Sequence, residues 1–244
     1  MSVSFFPQII LRFSLCLGMV LFASSLGEAA PAGGGVASIQ MIAFAYNGSE
    51  RKVTIADVKG TLMLDKPVEL PINQCSTAIS VTSRDLVFTL TNEGDKELAV
   101  GKERSVKSVS LALPRTGRDF ILVFLPLPAD QSASYRVHAV ELPAEKFKGG
   151  SFAFLNYSNS EIGCVIDNER SVVASGKAGI VTPSAKEGMI FAACFEKTEA
   201  AWPERPFFSG RIPIQGSVRT LVLMSRDSIN GRMGFRAVAD FVGR

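Results

Sequence analysis

Two stretches of this chain, FAFLNYSNSEIGCVI at 152–166 and MIAFAYNGSERKVTI at 41–55, share one pattern of strand, turn and strand. Overlaid at an offset of 111 residues, they match Tyr46 with Tyr157, Ser49 with Ser160, Glu50 with Glu161, and Ile55 with Ile166. A chain that carries the same strand–turn–strand unit twice is expected to repeat the domain that contains the unit.

Further matches fall in the same order along the two halves, and the offset shrinks to 100 residues. They pair 84–90 with 187–193, 101–108 with 202–209, 120–124 with 220–224, and 135–139 with 235–239. Because strands use few residue types, generic strand resemblance is the alternative explanation for any single match. The common order favours tandem duplication of a unit too long to be a solenoid repeat.

Short runs rich in Val, Ile, Phe and Thr recur between Gly, Pro, Asn and Asp clusters, for example FILVFL at 120–125 and MIFAACF at 189–195. This spacing is typical of an all-β sandwich or barrel. We therefore predict an all-β chain with two tandem, mutually similar β-sandwich-like domains at 36–143 and 150–242. The seam is predicted where Pro143 and the glycines that follow it interrupt the strand pattern.

The first residues are predicted to be a signal peptide, residues 1–29, removed before the mature chain begins near Ala30. The run FSLCLGMVLFASSL has the length of a signal-peptide core and is too short for a membrane span of roughly 20 residues. Gly27 and Ala29 supply the small residues of a cleavage site. We expect a periplasmic or secreted protein with no membrane span in the mature chain.

Two alternatives remain for this leader. A lipid anchor on Cys16 would need a small residue before the cysteine, and Leu15 is not small. A retained signal anchor is the second alternative, because Glu28 weakens the cleavage site and Arg12 supplies the only positive charge of the leader.

Charge argues against nucleic acid as a partner. The net charge is +3, and no run of Lys or Arg concentrates it.

Three cysteines follow the leader, an odd number for an oxidising compartment. Cys164 and Cys194 both sit in apolar strand-like runs, so they are the candidate disulfide, and Cys75 is left over. Alternatively, all three are buried free thiols, which behave as small hydrophobic residues. Cys–His spacings of a metal site are lacking, so we expect no metal and no other cofactor.

Catalytic motifs are also missing from the sequence. His138 is the only histidine, and it is predicted to be an exposed or semi-exposed strand residue. No phosphate-binding loop or nucleophile motif occurs. The scattered aspartates lie beside turn residues, where capping is their expected role, although a hydrolase pair could be assembled from distant strands.

The segment AWPERPFFSG at 201–210 is the sharpest candidate for a binding site. It contains Trp202, Arg205, Phe207 and Phe208, whereas the matching segment 101–108 of the first half is polar. One interpretation is a rigid aromatic platform that stacks on a sugar or fills a partner's pocket, with Arg205 as a charged handle. The other is that these rings pack under the loop or at the seam between domains.

These observations favour an exported, non-enzymatic protein with a binding or scaffolding role at the cell envelope, whose partner is an envelope protein or a glycan. A carbohydrate-binding protein that uses the loop around Trp202 is the alternative, and a hydrolase with dispersed carboxylates is the third hypothesis. The sequons at Asn47 and Asn156 are interpreted as turns rather than as glycosylation sites.

Overall fold

The fold is built of strands and turns throughout the residues that the computed structural model describes, namely 36–46, 50–92, 108–127, 135–143, 145–199, 201–227 and 230–241. The predicted signal peptide, Asn47 and the segment 101–107 lie outside these residues. Within the described ranges, no helix is long and apolar enough to cross a membrane.

The described residues form sixteen strands, eight in each half of the chain. The first eight are β1 (Ala37–Ala43), β2 (Glu50–Asp57), β3 (Val68–Glu69), β4 (Ile79–Val81), β5 (Asp85–Asn92), β6 (Ser108–Ala112), β7 (Asp119–Pro126) and β8 (Tyr135–Glu141). The second eight are β9 (Phe152–Asn156), β10 (Ile162–Ile166), β11 (Glu169–Val173), β12 (Ala178–Val181), β13 (Glu187–Glu196), β14 (Phe208–Gln215), β15 (Val218–Arg226) and β16 (Met233–Phe241).

These strands make four sheets of four strands each. Sheet 1 has the order β4-β1-β7-β8 and sheet 2 the order β3-β2-β5-β6; sheet 3 has the order β12-β9-β15-β16 and sheet 4 the order β11-β10-β13-β14. The prediction of an all-β fold with sandwich-like halves is confirmed.

Strand order is the same in the two halves when strands are counted from the start of each half. In both halves the first strand pairs in parallel with the seventh, as β1 with β7 and β9 with β15. Where both members of a matched pair are described, as for the strands of 41–55 with those of 152–166 and for 84–90 with 187–193, they therefore occupy corresponding strands. Their origin by duplication of one ancestral unit stays a prediction.

Three apolar clusters lie between the sheets. The first lies between sheets 1 and 2, the second between sheets 3 and 4, and the third between sheets 1 and 3. Along β7, Phe120, Leu122 and Phe124 point into the first cluster, whereas Ile121 and Val123 point into the third. Sheets 1 and 3 are thus covered on both faces, in agreement with the unbroken apolar runs 120–125 of β7 and 152–155 of β9.

The segment predicted to separate the two domains packs into the junction between the halves. Leu142 and Phe147 are buried in the third cluster, and the amide of Phe147 donates to the carbonyl of Pro143 at 2.9 Å. A Cβ atom on Gly149 would lie 1.9 Å from the carbonyl oxygen of Gly216, so only glycine fits at this position. The exact domain boundaries of 36–143 and 150–242 stay a prediction.

His138 lies at this junction. It is half-buried on β8, and its ring centroid is 5.0 Å from that of Tyr157, at the end of β9. Neither His138 Nε2 nor the Tyr157 hydroxyl, both buried, has a hydrogen-bond partner among the described residues. His138 therefore packs against the second half of the chain and is semi-exposed, as predicted.

The second sequon forms a buried turn. Asn156 is fully buried, and its amide group donates to the carbonyls of Ser160 and Val173 at 2.7 and 2.9 Å. Its side-chain oxygen accepts from the amide of Ser158 at 2.9 Å. Because every polar atom of this side chain is engaged inside the protein, Asn156 serves the turn, in agreement with the prediction.

Candidate functional site

Trp202 lies over the outer face of sheet 4, in the segment that joins β13 to β14. The six-membered ring of its indole covers Gly163 on β10, where a Cβ atom would lie 3.0 Å from Cζ3. The side chain keeps 37% of its surface exposed. Gly163 thus provides the space that lets the indole rest flush with the strand while one part of it meets solvent.

The base of this segment is tied to the turn before β10. The amide of Lys197 donates to the carbonyl of Glu161 at 2.9 Å, and its ammonium group forms an ion pair with the Glu161 carboxylate at 2.5 Å. The same ammonium group is 5.8 Å from the centre of the indole ring, within the range of a weak cation–π contact. These contacts set the position of Trp202 from the side of β10.

Other apolar side chains lie on the same face of sheet 4. Across the strand register, Gly163 is opposite Val172 on β11 and Phe195 on β13. Every second residue of β13 faces the same way, which adds Phe191 and Met189. Val172, Phe191 and Met189 are 47%, 50% and 57% exposed. We call this surface the tryptophan face: Trp202, Gly163, Val172, Phe195, Phe191 and Met189.

The four residues predicted from the segment 201–210 divide into two pairs. Trp202 and Arg205 are exposed, and no hydrogen bond or ion pair joins Arg205 to the described part of the chain. Phe207 and Phe208 are half-buried and pack against the second cluster. Phe208 stacks on Phe235 with ring centroids 3.5 Å apart.

The structure therefore does not bring either phenylalanine beside Trp202 at the surface. Phe207 and Phe208 pack under the loop. Trp202 remains exposed at the surface, as a binding platform requires. Instead, the partners of the indole are β-strand residues that the sequence reasoning did not single out. The signal for them was the run MIFAACF at 189–195, because an apolar run without alternation has two apolar faces.

Cys164 and Cys194 lie on the opposite, inner face of the same strands. They are direct partners in the register of β10 and β13, with sulfur atoms 3.7 Å apart. Both are buried free thiols, and Cys75 is also free. The contact with Cys194, together with burial, raises the pKa of the Cys164 thiol far above its ordinary value. The predicted disulfide between them stays a prediction.

Some of the carboxylates that are scattered in the sequence line a cleft between the two halves. Glu69, Asp119 and Asp240 line it, but Asp240 is already bound to Arg219. No group of three or more metal-binding side chains occurs in the ranges that the structure describes. One carboxylate of the cleft is thus engaged by a guanidinium group.

No model of a protein family matches the chain, and no curated protein sequence matches it closely enough to count as a relative. Among solved structures, one of alpha-glucan binding by a streptococcal virulence factor is similar to the chain at 10% sequence identity and a TM-score of 0.25. The match covers 78% of this chain and 93% of that chain. At this TM-score the likeness carries no information about function.

Proposed function

We propose that this protein is a non-enzymatic binding protein of the cell envelope, and that it holds carbohydrate chains against the tryptophan face. The observation that carries the proposal is the exposed indole of Trp202, seated over Gly163 on a rigid sheet. The proposal includes export of the chain to the periplasm or the medium.

The shape of the surface supports an extended ligand. Three apolar side chains, Met189, Phe191 and Phe195, lie along the outer face of β13, with the buried Ala193 between Phe191 and Phe195. At about 3.3 Å per residue, they cover roughly 20 Å of strand. A ligand made of several linked rings would contact this length, whereas a single sugar would contact the indole alone.

The chemistry of the surface supports a sugar ligand. A pyranose ring presents an apolar face of C–H groups that packs on an aromatic ring, and its hydroxyl groups need hydrogen-bond partners at the edge. Charged groups stand at that edge. Lys197 and Glu161 lie beside the indole, and Arg211 is the strand partner of Phe191.

The absence of catalysis is part of this proposal. His138 is committed to the junction between the halves rather than to the tryptophan face. Of the carboxylates in the cleft, Asp240 is bound to Arg219, so it is not a free general base. A hydrolase with dispersed carboxylates is therefore the less favoured hypothesis.

An envelope protein is the second candidate ligand. The side chains of Val172, Phe191 and Met189 are about half exposed on the same face of sheet 4. Exposed apolar patches of this kind also occur at protein–protein interfaces. In that case the protein acts as a scaffold rather than as a glycan-binding module.

The experiment uses Trp202 as its own probe, because it is the only tryptophan in the chain. We expect a blue shift or quenching of its fluorescence when oligosaccharides of increasing length are added, with the response increasing over the first few sugar units. Trp202→Ala should abolish retention on the matching insoluble polysaccharide.

Leu62→Ala is the matched control, since Leu62 is also an exposed apolar residue, at 57%, but lies in the first half. It should bind like the unmodified protein. If the fluorescence stays constant against a broad panel of glycans, carbohydrate binding is wrong. Loss of envelope-protein capture by Trp202→Ala but not Leu62→Ala would then support the second candidate.

A further inference from the structure

A cleft of about 620 Å³ lies where the two halves of the chain meet. The first half contributes Gln40 of β1, residues between Val68 and Ala78, and Asp119 at the start of β7. The second half contributes Arg219 of β15 and Asp240 of β16. Cavities of roughly 300–1,000 Å³ are the usual size of small-molecule sites, so the cleft is large enough to hold one.

An ion pair forms one wall of the cleft and uses only part of its hydrogen-bonding capacity. Arg219 Nε donates to Asp240 Oδ2 at 2.7 Å, and the two side chains are only 20% and 11% exposed. The Arg219 Nη2 and Asp240 Oδ1 atoms make no hydrogen bond within the described ranges, yet neither is enclosed by protein. Arg219 Nη2 and Asp240 Oδ1 therefore remain available as a donor and an acceptor for a ligand.

Packing holds the guanidinium group in place. Its central carbon is 4.9 Å from the ring centre of Phe147, which is buried. Nε donates to Asp240 and Nη1 lies 3.5 Å from the carbonyl oxygen of Phe147, so Nη2 is the charged donor that remains for a ligand carboxylate. The acceptor beside it suits an ammonium group. Together they match a ligand whose carboxylate and ammonium groups are close together, as in an α-amino acid.

The other charged residues of the lining favour a ligand that carries an additional positive charge. Glu69 and Asp119 stand at the exposed rim, so three carboxylates and one guanidinium give the lining a net charge of −2. Lys52 is the strand partner of Glu69 but forms no ion pair with it in the part of the chain that the structure describes. Burial, and then the Asp240 charge, raise the pKa of Cys75 to about 12, so its thiol adds no charge at neutral pH.

Glu69, Asp119 and Asp240 are not a metal site, because no group of three side chains that could hold a metal ion occurs in the described ranges. An organic cation is therefore the ligand that we consider for these carboxylates.

We propose that this cleft binds a basic amino acid. The ligand carboxylate accepts from Arg219, its α-ammonium group donates to Asp240, and its cationic side chain reaches Glu69 or Asp119 at the rim. This site is separate from the tryptophan face, and it does not depend on the proposed function.

The test is calorimetric titration of the purified protein with L-lysine and two analogues that each lack one ionic group. Norleucine lacks the side-chain ammonium group, and cadaverine lacks the carboxylate. We expect L-lysine to bind, and each analogue to bind roughly fivefold more weakly or worse, the loss expected for one solvent-exposed ion pair.

Variants assign each ionic group to its partner. Glu69→Gln with Asp119→Asn should weaken L-lysine binding roughly fivefold or more and leave norleucine unchanged, because norleucine has no charge for the rim. Arg219→Lys should weaken L-lysine and norleucine but not cadaverine. The control Asp65→Asn removes an exposed carboxylate outside the cleft and should change nothing, as should Trp202→Ala.

A second readout uses Cys75, which lines the cleft and is less buried than the other two described cysteines. Bound L-lysine should slow its alkylation, followed by mass spectrometry. The proposal is wrong if L-lysine does not bind, or if L-lysine and norleucine bind equally. It is also wrong if Glu69→Gln with Asp119→Asn leaves the affinity for L-lysine unchanged, or if saturating L-lysine leaves the rate of Cys75 alkylation unchanged.

Discussion

Cys164 and Cys194 face each other directly across β10 and β13, with their sulfur atoms 3.7 Å apart inside the second cluster. A disulfide needs the sulfurs to close to about 2.05 Å, a movement within reach of small side-chain rotations. Expressed with export to an oxidising compartment, the protein should contain this bond, formed when each thiol gives a proton and an electron to an acceptor disulfide. Peptide mapping without reduction measures it.

The bond should raise the free energy of unfolding by about 2–4 kcal/mol relative to the reduced protein. Cys75→Ser is the control and should leave the cross-linked peptide in place. Recovery of three alkylatable thiols from the protein isolated from its oxidising compartment would contradict the pairing and leave all three as buried free thiols.

Substitution of Gly163 should displace the indole in a graded way. A Cβ atom there meets Trp202 at 3.0 Å, so Gly163→Ala forces a small shift and Gly163→Val a large one. Emission from Trp202 should move to longer wavelength in that order as the ring becomes more exposed. Glycan retention should fall in the same order, and equal spectra for all three proteins would show that β10 does not seat the indole.

Gly149→Ala should destabilise the protein strongly. The added carbon would lie 1.9 Å from a backbone oxygen of Gly216, which cannot move without shifting the start of β15. We expect a loss of about 1–3 kcal/mol, the usual cost of overpacking, measured by urea denaturation. The control is Gly216→Ala, because a Cβ atom on Gly216 meets nothing within 4 Å.

Acid should weaken the protein through His138. Burial lowers the pKa of His138, and the Arg136 charge lowers it further, so the folded state favours neutral imidazole. The corresponding stability is fully present above about pH 6.5, the ordinary histidine pKa, and is lost as the pH falls through the lower folded value. Thermal unfolding followed from neutral to acidic pH measures this dependence.

His138→Gln should flatten that part of the pH profile, whereas Tyr157→Phe should keep it. The tyrosine substitution removes a hydroxyl that has no hydrogen-bond partner among the described residues and preserves the ring that packs on His138. An unchanged acid slope in His138→Gln would assign the effect to other groups.

Much of the fold follows from local patterns in the sequence. The strands FILVFL and FAFLN were visible as apolar runs, and the matches that fall within the described residues occupy corresponding strands. The stacking of sheets 1 and 3 was not predicted from the sequence. The continuous apolar character of β7 and β9 carried that information, since strands buried on both faces lose their alternation.

The candidate sites were harder to read from the sequence. Trp202 stands out as the only tryptophan, but its seat at Gly163 is 39 residues earlier in the chain, and no local pattern connects the two. Likewise, Arg219 and Asp240 meet residues near Cys75 only because the halves pack together. Such pairings depend on how sheets stack, which residue spacing within one strand does not encode.

The parallel pairing of first and seventh strands has a consequence for how the chain folds. Ser38 pairs with Asp119, so this contact forms between residues that are 81 positions apart in the chain. In the second half, Phe152 pairs with Thr220 in the same way. Closing such long loops is slow, because chain entropy is lost before the contact is gained. Each nascent half therefore keeps an unpaired edge until its penultimate strand has been made, and a chaperone that shields that edge would act during this interval.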